Sequence, residues 1–203
     1  MPPLTDRTTI RKLLDTDRPW AVYALGDLSP ELFAHCTWFS PAGEAPALAL
    51  LYSGFTPPVL FTLGKPTALP ALLADIGDVP ELYLHVRHEV VPLLEPCYRV
   101  SDPKAMWRMI LNPAKYHPSD PGSAMPLGPA DLGALRRLYA DGQPAGEQPG
   151  FFSPAMLGEG VYFGVWEGFD LIAAAGTHLV AEAEGVAAVA PYRRIASPST
   201  KAQ

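Results

Sequence analysis

The chain has 203 residues, 48% hydrophobic and 18% charged, with a formal net charge of -6. That length buries the core of one large domain or two small ones, and that composition excludes a disordered chain. The acidic balance argues against general nucleic-acid binding, and apolar runs of about eight residues are too short to cross a bilayer.

From the N-terminus, Met1-Pro2-Pro3-Leu4 shows no basic region followed by an apolar run, so no signal peptide is expected and the chain reads as soluble and cytoplasmic. Cys36 and Cys97 lie far apart and form no CxxC. Thr8–Leu14 reads as a short helix with Thr5 or Thr8 as its N-cap. Pro19 opens a second helical stretch that ends at Gly26-Asp27. Three apolar runs follow as strands: Trp38–Ser40, Ala47–Tyr52 and Val59–Leu63, the last two forming a hairpin. Pro66 starts a helix over Ala68–Ile76, Leu82–Val86 is a further strand, Pro92–Val100 is extended, and Pro103–Ile110 is a helix stopped by Asn112-Pro113.

Proline punctuates the chain throughout: 24 residues, roughly twice the usual share. Four of them fall in residues 113–128. The expected organisation is therefore an α/β domain over 1–115, a linker over 116–128, a second domain over 129–190, and a basic, disordered tail over 191–203. Pro129–Asp141 reads as a helix with Leu132, Leu135, Leu138 and Tyr139 on one face. Residues 142–150 form a Gly/Pro loop, and Ser153-Pro154 caps a short helix through Leu157. Val161–Trp166, Leu171–Val180 and a strand beginning at Val186–Val189 then form a meander.

The stretch Val161-Tyr-Phe-Gly-Val-Trp-Glu-Gly-Phe-Asp-Leu171-Ile-Ala-Ala-Ala-Gly-Thr-His178 resembles the central hairpin of the GCN5-related N-acetyltransferases (GNAT family). Glu184-Gly-Val-Ala-Ala-Val189 looks like the entry to that family's next strand, and the helices at 129–141 and 153–157 match the two before the hairpin. The resemblance spans about residues 125–190 and implies an α/β fold with a mixed sheet, like that of acyl-CoA N-acyltransferases. It implies acetyl transfer from acetyl-CoA to the amine of a small molecule or peptide. It also assigns the backbone of Val186, Ala187, Ala188 and Val189 to the pantetheine arm of the cofactor. The element order of the first half allows a degenerate copy of the same fold, or an unrelated α+β cap.

The family holds the cofactor's pyrophosphate on a glycine loop, [RQ]-x-x-G-x-[GA], at a helix N-terminus. Here Val189 is followed by Ala-Pro-Tyr-Arg-Arg-Ile-Ala-Ser-Pro, and no glycine follows Gly185. The expectation is an impaired or inactive enzyme: a C-terminal half cut short of its cofactor loop, or a short form that has lost catalysis. A non-catalytic binding or dimerisation module is the alternative. Val186–Val189 would then be an exposed apolar edge, which invites pairing with another chain.

Three side chains near the hairpin suit proton transfer. His178 can shuttle a proton at neutral pH, and Glu182 and Glu184 can act as bases through water. The plain alternative for all three is a solvated hairpin. Tyr162, Trp166 and Phe152 read as core or cleft wall. His85-Val-Arg-His88-Glu89 has the wrong spacing for a zinc-protease helix, so it reads as a surface strand. Gly164 and Gly168 do not form GxGxxG, and Ser53-Gly-Phe is no nucleophile elbow.

Overall fold

The computed structural model describes residues 2–41, 46–77, 79–101, 103, 105–118, 120, 122–140 and 154–193. The chain divides into two units, Met1–Asn112 and Pro113–Gln203. Both mix helices with a four-stranded sheet, one mixed and one antiparallel. Among the described residues no helix is long and apolar enough to cross a membrane.

The first unit begins with α1 (Arg7–Leu14). Its cap is Asp6, not Thr5 or Thr8: the carboxylate accepts from the Thr8 and Thr9 amides at 3.3 and 3.0 Å. Two shorter helices follow, α2 (Val22–Gly26) and α3 (Pro30–Phe33), the latter capped by Ser29 and not expected from the sequence. Then come β1 (Cys36–Phe39), β2 (Leu48–Tyr52) and β3 (Val59–Leu63), joined antiparallel, with β4 (Tyr83–His85) parallel to β3. The antiparallel pairs need only short turns. The parallel step uses a crossover carrying α4 (Pro70–Asp75).

Leu48, Ala49 and Leu50 are consecutive and all buried, as are Leu60, Phe61, Thr62 and Leu63. A continuous run buried on alternating sides means that both faces of this sheet are covered. On one face Leu60 and Ala49 meet Leu69, Leu72 and Ile76 from the crossover, and Val90 and Leu94. Each fully buried leucine there contributes about 1.5–3 kcal/mol.

Two segments depart from expectation. Pro92–Val100 is not extended throughout: after a 3-10 turn at His88–Val90, α5 (Val91–Leu94) places Pro92 in its first turn and Leu94 in the core. Pro103–Ile110 forms no helix over its described residues, and Met106, Trp107, Met109 and Ile110 are exposed. A short helix persists only when it buries an apolar face, and among the described residues nothing covers the apolar side chains of this segment.

The second unit is an antiparallel sheet of β5 (Met125–Pro126), β6 (Tyr162–Glu167), β7 (Asp170–Ala181) and β8 (Val186–Arg193), in that order. Two helices precede the hairpin, α6 (Leu132–Ala140) and α7 (Met156–Glu159). On α6, Leu135, Leu138 and Tyr139 share one face and pack with Leu157, Tyr162, Leu171 and Ala174. Gly176 is required there. A Cβ at that position would lie 2.2 Å from the Tyr162 ring, which is itself in the core.

Two stretches read as unstructured carry strand. Met125 and Pro126, inside the expected linker, pair with Gly164 and Phe163. Residues 191–193, inside the expected tail, continue β8, because β7 is long enough to offer partners back to Ala173. Residues 142–150, Phe152, Ser153 and the tail beyond Arg193 lie outside the described residues.

Candidate functional site

His178 occupies an irregular position on β7. Thr177 pairs with Val189 and Leu179 with Ala188, so His178 has no residue opposite it on β8. That is a β-bulge, a device that re-aims a side chain. Its ring is partly buried, and Nε2 is enclosed with no hydrogen-bond partner among the described residues. Burial pushes its pKa below the ordinary histidine value, so the ring is neutral at pH 7. An enclosed nitrogen without a partner costs about 1–3 kcal/mol.

Glu182 and Glu184 lie in a 3-10 turn after β7, the first exposed and the second partly buried. The strand residues between His178 and that turn span about 10 Å. The three proton-transfer candidates are therefore not one cluster, and His178 is the one with a distinctive environment. Gly185 closes the turn at φ 63, a left-handed conformation that favours glycine.

The backbone of Val186–Val189 pairs with β7 through Ala181, Val180, Leu179 and Thr177. Among the described residues β8 ends the sheet, and no strand covers its other side, which is an open edge. Pro191 fixes which peptide units face it. Pro191 sits opposite Ala175 and has no N–H to give, so its peptide unit points away from β7. Alternation along the strand turns Val189 and Ala187 the same way, while Ala188 has its side chain buried. Tyr162 is a core residue and Trp166 packs against that core.

The first unit holds two groups that sequence reasoning missed. His85 is not on an open surface strand. Its ring lies 5.2 Å from Trp20, 5.9 Å from Tyr23 and 5.7 Å from Phe61. Arg108 Nη2 is 2.9 Å from His85 Nε2. Burial, and secondarily Arg108, pushes the pKa of His85 down to about 4. His88 lies beyond β4 in the 3-10 turn. No group of three or more potential metal ligands occurs among the described residues.

The second group surrounds Asp27, which follows α2. Burial pushes its carboxyl up to about 7. Cys36 and Tyr52 are cross-strand partners on β1 and β2, and the Cys36 thiol donates to the Leu32 carbonyl at 3.3 Å. Burial first, and the Asp27 charge second, raise the pKa of both the thiol and the phenol. A thiol held protonated is a poor nucleophile. The local signal for Asp27 is a carboxylate set between Leu25-Gly26 and Leu28, whereas the His85 box gathers residues too far apart in sequence to leave a spacing pattern.

Comparison with family models, with curated proteins and with solved structures finds no match for this chain.

Proposed function

We propose that the second unit is a GNAT-type scaffold that takes the pantetheine arm of acetyl-CoA along β8 and supports acetyl transfer to the amine of a small molecule or peptide. The open edge of β8 beside the His178 bulge carries this reading. A pantetheine arm holds two amides in an extended chain, and a strand edge pairs with such a chain through main-chain hydrogen bonds. Ala187 and Val189 offer the outward peptide units. Among the described residues the enclosed Nε2 of His178 has no hydrogen-bond partner.

Acetyl-CoA supplies a thioester: the amine gains the acetyl group and loses a proton, and CoA leaves as the thiolate. His178, neutral at pH 7, is this chain's candidate to accept that proton. Glu182 and Glu184 can contribute only through water. The pyrophosphate has no cradle among the described residues, because β8 continues as strand to Arg193 where a glycine loop would turn into a helix. The arm therefore fits better than the whole cofactor, and the activity expected of this chain is weak. The same open edge favours a second reading, a non-catalytic module that pairs β8 with a second copy.

The test joins thermal stabilisation by millimolar acetyl-CoA, release of free CoA with a panel of amines, and hydrogen exchange at Ala187 and Val189. Stabilisation, CoA release and slowed exchange at both amides support the enzyme reading. No stabilisation and no release reject it. Light scattering that shows a dimer, with the same two amides protected, supports the second reading, and a monomer at high concentration rejects that one.

A further inference from the structure

The described residues from Ser101 to Asn112 are exposed with one exception, Arg108. Its neighbours invert the usual pattern: Trp107 is 94% and Met109 88% exposed, while the charged side chain turns inward. The guanidinium lies over the Tyr23 ring, 5.0 Å from its centre, and reaches His85 Nε2 at 2.9 Å. We propose that Arg108 and His85 form an acid-released latch, which holds the apolar segment 105–111 to the aromatic face of the first unit while the imidazole is neutral and frees it when the ring takes a second proton.

The chemistry of the two groups carries this. A guanidinium has five donors, no acceptor and a permanent charge. It can approach an imidazole nitrogen to hydrogen-bonding distance only if that nitrogen is bare, so His85 holds its single proton on Nδ1. Protonation of Nε2 would set two donors and two positive charges against each other, between Trp20, Tyr23 and Phe61, where water screens poorly.

Among the described residues the other groups nearby do not compensate the new charge. Arg87 stacks on the Trp20 ring, 4.8 Å from its centre, and offers no negative charge. Asp17 is engaged in an ion pair with Arg87. Tyr23 presents its ring to Arg108. The contact is therefore shut at neutral pH and opens as pH falls through about 4.

Two substitutions separate the acceptor from the titration. His85→Gln keeps an oxygen that can accept from Arg108 and does not titrate; His85→Phe fills the aromatic box without an acceptor. At pH 8, trypsin should cut the Arg108–Met109 bond at least tenfold faster in H85F than in the native chain, and at a near-native rate in H85Q. In nitrogen-15 NMR, backbone order over 105–111 should fall together with His85 titration in the native chain, stay high over the same pH range in H85Q, and be low throughout in H85F. Equal cleavage of H85F and the native chain overturns the latch. So does an H85Q profile that loses order at the same pH as the native chain, since that reports acid unfolding.

Discussion

Replacing Asp27 by Asn should stabilise the first unit, and the gain should depend on pH. In the fold the carboxyl of Asp27 is pushed up to about 7 by burial, against 3.8 for a free side chain. Below 3.8 both folded and unfolded chains hold the proton, and no charge is buried. Between 3.8 and about 7 the unfolded chain releases the proton while the folded chain keeps it, so stability falls as pH rises. Above about 7 the folded carboxylate is ionised and the full penalty stands. A gap of three units corresponds to about 4 kcal/mol, which is a ceiling because a partly exposed carboxyl recovers some solvation. Asn keeps the shape and carries no charge, so D27N should gain about 1–3 kcal/mol at pH 8 and progressively less toward pH 4. Urea unfolding measures it, in a Trp166→Phe background so that Trp20, Trp38 and Trp107 report the first unit alone. A gain of 2 kcal/mol moves the midpoint by about 1 M. A gain that is the same at pH 5 and pH 8, or a loss at pH 8, refutes the reasoning.

Two further outcomes concern the second unit. Gly176→Ala places a Cβ 2.2 Å from the buried Tyr162 ring and should cost about 1–3 kcal/mol, read from the unfolding midpoint. Most of that cost should vanish in a Tyr162→Leu background, and a penalty unchanged there would show that the ring is not its cause. Leu135→Ala truncates a fully buried side chain at the centre of the helix–sheet core and should cost about 2–5 kcal/mol by the same measurement.

Much of the strand pattern was legible locally. Val59–Leu63 was read to the residue, and the hairpin of β6 and β7 lies within about a residue of its expected bounds, because apolar runs set off by Pro, Gly and acidic turns mark strands without reference to anything distant. The helix expected at Pro103–Ile110 failed for the opposite reason. Its apolar residues have the composition of a buried face, yet they are exposed, and the side chain that turns inward is Arg108, engaging a histidine 23 positions earlier. The candidate site divides in the same way. His178 was visible as a histidine on a hairpin strand. That it sits at a bulge with Nε2 enclosed depends on how β8 is registered against β7.

By itself, then, the sequence determined the alternation of strands and helices in a mixed α+β chain, since those follow from side-chain period and turn chemistry within a few residues. Only the tertiary structure decided which strand ends up at a sheet edge, that β8 runs on to Arg193, and that Asp27 and His85 lie in places that shift their protonation. Those properties depend on what packs against a residue from elsewhere in the chain, and a local pattern of residue types carries no record of that.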